Sequence, residues 1–272
     1  MIANLMSYTN SKKTTIKFVQ MKKDTVLIGL ILFGLGIIGV LSMLTMEIPL
    51  TPEIEEVLKE RFTAQQIKIL LLINPTILLL IAVVIGTAFY QKVNLHVPLI
   101  EKMVGNENHN FSTADILKFG ILGGILSGVL LSLVGFIFTP MLPAEFLELG
   151  KSLKPTLAAR FLYGGITEEI MMRFGLMTLI VWIVATVLNN TKPIAYWSGI
   201  VIASIVFGLG HFPIAYQTVG NPSAILLAYV LIGNTVGGLV FGWLYWKKGL
   251  ESAFLAHIVT HVIMIIAEPI LN

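Results

Sequence analysis

Thr167-Glu168-Glu169-Ile170-Met171-Met172-Arg173 sets three charged side chains within six residues of a stretch, 160–188, that is otherwise apolar enough to span a bilayer. A charged side chain at the bilayer centre costs roughly 2.5–3.5 kcal/mol on insertion scales, and simulations put it higher. The two glutamates and the arginine must therefore face protein or a water-filled cavity. Such a placement reads first as a functional site.

Composition agrees with a membrane origin for that stretch. The 272 residues are 56% hydrophobic and only 12% charged, and the mean hydropathy is +0.87. Soluble domains carry about 25% charged residues, so this is an integral membrane protein. The net charge of +3 is small, and the lysines and arginines sit at the ends of apolar runs as topology determinants do. They form no nucleic-acid footprint. The chain has no cysteine, which removes thiol nucleophiles, disulfides and thiolate metal sites.

The first 23 residues are polar and basic (Lys12, Lys13, Lys17, Lys22, Lys23), and Thr25 to Met46 then runs apolar. That run is too long for a signal peptide and reads as a retained anchor. At about 20 residues per crossing, further spans fall near 67–90, 114–140, 160–188, 194–211, 223–246 and 250–270. Pro155 and Arg160 leave room for an extra short or re-entrant helix before the fourth. Only helices satisfy the backbone in lipid without period-2 alternation. The expected fold is an all-α polytopic bundle of about seven spans, six to eight, in the cell membrane.

With seven spans, the basic N-terminus, Lys192 and the pair Lys247–Lys248 share one side, and the loop bearing Glu53, Glu55, Glu56 and Glu60 lies on the other. The positive-inside rule then puts the N-terminus inside and the C-terminus outside. By content the chain divides into an N-terminal membrane region, 1–150, with about three spans, and a second region, 151–272, that holds every buried ionisable group of interest. A polar loop lies around 101–113. Gly233, Gly237, Gly238 and Gly242 form small-xxx-small patterns suited to close helix packing.

Glu169 and Arg173 are four apart on one helix face, with glutamate N-terminal to arginine, the favourable order. They read as a buried, helix-orienting ion pair. Glu168 lies about 100° round an α-helix and cannot share Arg173 equally. A carboxylate left without its own counter-charge is a candidate general base. His211, just before Pro213 at the end of the fifth span, and His257 with His261, four apart in the last, are the other intramembrane candidates. Alone, His211 reads first as an interfacial hydrogen-bonding residue and the His257–His261 pair as a bridge between helices; their fall in one 95-residue region with the double carboxylate favours a shared site. At 1.5 Å per residue, Glu168 lies ~12 Å from the Arg160 end of its span and His257 ~12 Å from the Lys248 end of its own, so the two can meet in a core about 30 Å thick.

Elimination narrows the chemistry. The only aspartates, Asp24 and Asp115, lie at span edges, far apart in sequence. No Gly-x-Ser-x-Gly and no His-Glu-x-x-His occurs. What remains is a Glu/His site that activates water, with or without a metal.

In order and spacing, Glu168-Glu169-x-x-x-Arg173, Phe207-x-x-x-His211 and His257-x-x-x-His261 resemble the three motifs of the CAAX-protease and bacteriocin-processing family (CPBP, or Abi). It is the family of the Rce1-type prenyl-protein endopeptidase. The resemblance covers roughly 155–268. It implies a glutamate-dependent intramembrane endopeptidase acting on a membrane-associated or lipidated, CAAX-like peptide or protein. It further implies that Glu168 and His211 hold and deprotonate a water, that His257 and residue 261 donate to the oxyanion, and that no cofactor is needed. Glu169, Arg173 and Phe207 would support them. His261 departs from the pattern, which usually has Asn there, and a histidine is also a metal ligand. A zinc-dependent version using His211, His257, His261 and a glutamate therefore stays open. So do a non-catalytic bacteriocin-immunity or peptide-binding protein and a proton-coupled transporter.

Overall fold

The computed structural model describes residues 23–48, 50, 52–105, 111–152 and 155–271. Lys12, Lys13, Lys17 and Lys22, and the loop residues Asn106, Glu107, Asn108 and His109, lie outside the described residues. Among those described, every regular element is helical. Seven helices are long and apolar enough to cross a membrane: Lys23–Thr45, Ala64–Val93, Thr113–Met141, Ala159–Val187, Pro193–Val219, Ala224–Lys248 and Leu250–Pro269. The chain is a multi-pass membrane protein.

Local chemistry sets where the spans begin. Ser112 accepts from the Asp115 N–H at 3.0 Å, and Ser223 from the Leu226 N–H at 3.2 Å. Thr63 and Gln66 close a reciprocal capping box. Each supplies a partner to amides that no carbonyl of the helix can reach. Pro193 opens the fifth span in the first turn, where its missing N–H costs nothing.

Contacts between loops order the two faces of the bundle. The Leu250 N–H donates to the His96 carbonyl at 3.1 Å, and the Tyr196 hydroxyl to the Val93 carbonyl at 2.8 Å. Glu251 accepts from the amides of Leu99 and Ile100, capping the short helix Pro98–Met103. The second, fourth and sixth turns of the chain thus meet on one face. On the other, the hydroxyls of Thr45 and Thr156 lie 2.6 Å apart, joining the end of the first span to the approach to the fourth.

One large apolar core runs through the molecule and crosses the boundary near residue 150. It takes Ile28, Leu32 and Val40 from the first span, Leu79 from the second, Phe174 and Met177 from the fourth, and Phe241 and Tyr245 from the sixth. Bare backbone allows the closest approaches. A side chain at Gly39 would overlap the Leu162 carbonyl and the Thr167 hydroxyl of the fourth span, and one at Gly124 would strike Val259 and the Ala256 carbonyl of the seventh. Small residues at helix crossings have this use in membranes.

Three features differ from the plain reading of seven α-helices. A short helix, Ala144–Ser152, precedes the fourth span, in the place Pro155 and Arg160 left open. The fifth span does not end at Pro213: its first helix stops at Gly210, His211 forms the corner, and a second helix, Phe212–Val219, continues. Proline is tolerated there because it occupies the opening turn of the new helix. The third difference is in the fourth span, where Ala159–Glu168 and Ile170–Met177 wind as π-helix, bonded i→i+5. The Thr178 hydroxyl donates to the Arg173 carbonyl at 3.2 Å, and the Thr167 hydroxyl donates to Gly36 at 2.8 Å. Polar backbone inside a bilayer must find such internal partners, and π-turns recur at functional sites.

Candidate active site

The wide-turned fourth span divides its two glutamates between different surroundings. Glu169 is fully buried and Arg173 is 1% exposed, with Nε of the arginine 3.2 Å from Oε2 of Glu169. The other oxygen of Glu169 accepts from His257 Nδ1 at 2.9 Å. The guanidinium is flanked by two aromatic rings, Phe207 at 5.2 Å and Phe241 at 5.6 Å. Their negative faces add favourable electrostatics that a desolvated cation needs. Glu169 thus faces a cation and an imidazole in a dry environment.

Glu168 is different. It is half-buried, and among the described residues it makes no hydrogen bond or ion pair. It stands close enough to His257, Arg173 and Tyr163 to act on each electrostatically.

His211 occupies the corner of the fifth span, half-exposed, with its ring edge-on to Phe207 at 4.7 Å. Nδ1 lies 2.8 Å from the Phe207 carbonyl. A carbonyl only accepts, so Nδ1 carries the proton and Nε2 of the neutral ring presents its lone pair. The corner that ends the first helix is therefore also what sets the tautomer.

His257 lies between Phe241 and His261, stacked at 4.6 Å on the first and 5.0 Å on the second. It is 6% exposed, whereas His261 is half-buried. Both rings aim Nε2 at Gly164. A methyl group built there would sit 2.9 Å from Nε2 of His261 and 3.8 Å from that of His257. Gly164 thus leaves open the space in front of both nitrogens. Nδ1 of His261 is buried without a hydrogen-bond partner among the described residues.

The structure therefore brings Glu168, Glu169, Arg173, Phe207, His211, His257 and His261 into one cluster between the fourth, fifth, sixth and seventh spans. Two members of its surroundings were not singled out from sequence. Phe241 appeared only within a run of packing glycines, and no spacing rule in one sequence links it to Arg173 or His257. Gly164 carries no side chain to draw notice; its value is the room it leaves. Among the described residues no three histidine, aspartate or glutamate side chains form a group that could hold a metal ion.

Chemically, the arrangement offers an uncommitted carboxylate, an imidazole acceptor with a fixed tautomer, and two further imidazoles facing a small gap. Residues 151–263 match the family model described as type II CAAX prenyl endopeptidase Rce1-like. The match covers the stretch holding all three motifs, so the resemblance to that family holds there, and it supports a membrane protease of the CAAX type at the level of the family. No curated protein and no solved structure matches the chain.

Proposed function

We propose that this chain, Rce1-like over residues 151–263, is an endopeptidase of the cell membrane that hydrolyses a peptide bond in a membrane-associated or lipidated peptide or protein. The observation that carries the reading is the contrast between the glutamates. Glu169 has Arg173 and His257 as partners, and Glu168, one residue away, has neither hydrogen bond nor ion pair among the described residues.

A water between Glu168 and His211 finds two acceptors, a carboxylate oxygen and the Nε2 lone pair, one for each of its protons. Glu168 takes a proton as the water oxygen attacks the scissile carbonyl carbon. The carbonyl oxygen becomes an oxyanion in the gap before Gly164, where His261 donates from Nε2–H. His257 donates there only when its ring holds both protons, because Nδ1–H is already committed to Glu169. Collapse of the tetrahedral intermediate breaks the C–N bond, and the proton held by Glu168 passes to the leaving amine. Fixed donors in a water-poor site act strongly on developing charge.

The test compares the termini of membrane peptides in cells expressing wild type or Glu168→Ala. A peptide shortened only with the wild type is the expected result. Identical termini, with both proteins present in equal amount, would overturn the proteolytic reading in favour of a non-catalytic immunity or peptide-binding role.

A further inference from the structure

The gap before Gly164 is short of hydrogen-bond donors. Nδ1 of His257 lies 2.9 Å from a carboxylate oxygen of Glu169, which only accepts. The neutral ring therefore carries its proton on Nδ1 and turns the lone pair of Nε2 toward the gap. A lone pair repels an oxyanion. Nδ1 of His261 has no hydrogen-bond partner among the described residues, which leaves that ring free to hold its proton on Nε2. Two imidazoles thus supply one unconditional donor, whereas oxyanion sites of acyl transfer are built from several.

The side chain next to that gap on the fourth span is Tyr163, the residue before Gly164. Its ring is half-buried and packs against the large apolar core. Buried tyrosine hydroxyls usually find a hydrogen-bond partner. Among the described residues this one makes none.

The winding of the fourth span brings Tyr163 to the site. On an α-helix a residue five places before Glu168 would lie about 140° round the axis from it. Ala159–Glu168 is wound as π-helix instead, and in that i→i+5 ladder residues five apart stand on successive turns of one side. Tyr163 accordingly lies close enough to Glu168 for the carboxylate to act on the phenol electrostatically. It is adjacent to Gly164 along the axis and shares the side of Glu168. It therefore borders both the position of the water and the gap that receives the carbonyl oxygen.

We propose that Tyr163 is a further catalytic residue, whose Oη–H donates to the developing oxyanion together with Nε2–H of His261. This role rests on the proteolytic reading of the site. A phenol keeps its proton at neutral pH, so Tyr163 contributes a hydrogen bond and transfers nothing. The proton of the attacking water goes to Glu168 and then to the leaving amine, as before. A neutral donor at this place acts whatever the protonation of His257.

The test is the Tyr163→Phe variant, which removes one oxygen and keeps the packed ring. Purified and reconstituted in lipid, it is given the peptide identified by the terminal comparison of wild type with Glu168→Ala. We expect kcat to fall about 10²–10³-fold, the usual cost of one oxyanion donor. KM, the unfolding temperature and the acid limb of the pH–rate profile should stay those of the wild type. Wild-type kcat would overturn the role, since a tyrosine that only packs loses nothing with its hydroxyl. A raised KM at unchanged kcat would overturn it in favour of a ground-state binding contact. A shift of the acid limb to higher pH would overturn it in favour of a partner that orients Glu168, and a rate loss that tracks loss of folded protein in favour of a structural hydroxyl. If the wild type itself cleaves no peptide, the proteolytic reading falls and this role with it. Cleavage by the wild type that Tyr163→Phe matches would remove the role of Tyr163 alone.

Discussion

Glu169 and His261 are the residues whose neighbours say most about what a substitution should do. Glu169→Gln removes the counter-charge of Arg173 and the acceptor of the His257 Nδ1–H at once. Breaking a buried ion pair costs about 3–5 kcal/mol, so this variant should unfold at lower temperature and accumulate poorly. A thermal unfolding curve matching the wild type would contradict the pairing. At His261 the distinction is between donor and ligand. If Nε2–H is an oxyanion donor, His261→Asn should keep most activity through its amide N–H₂, and His261→Leu should lose about 10²–10³-fold in rate. Equal loss in both, together with stoichiometric zinc in wild type that disappears from the variants, would favour a metal ligand instead. The pairing of Glu169 with Arg173 was legible from i,i+4 spacing alone. The contact of Glu169 with His257, 88 residues away, was not, because one sequence carries no information on which helix faces meet.

Among the elements, the π-wound fourth span holds the account together. Gly164 faces His261 and His257 across the gap where the scissile carbonyl would lie. Gly164→Ala should therefore abolish most turnover by filling that gap with a methyl group, while the helix and the expression level survive. Activity near wild type in a folded Gly164→Ala protein would mean that the carbonyl lies elsewhere. The spans themselves were readable because about 20 apolar residues have few alternatives to a membrane helix. The π-winding and the corner at His211 were not. Hydropathy does not distinguish i→i+4 from i→i+5 bonding, and Pro213 signals a helix end as readily as a helix start.

At the scale of the whole molecule, the family match begins only at residue 151, yet the core does not. Gly39 presses on the fourth span and Gly124 on the seventh, the two helices that carry the glutamates and two of the histidines. Expressed alone, 151–272 should be degraded or inactive, and co-expression of 1–150 as a separate chain should restore it. Full activity of the isolated C-terminal part would show that the first three spans are dispensable. Within that core Glu168 is the proposed base, with a chemical and not a structural burden. The most direct measurement is the rate at which purified Glu168→Gln, reconstituted in lipid, cleaves the peptide identified by the terminal comparison, with its unfolding temperature recorded alongside. The prediction is a loss of about 10²–10⁴-fold, the usual contribution of a general base, with the unfolding temperature of the wild type. Retained cleavage, or a loss accompanied by the instability expected of Glu169→Gln, would contradict it.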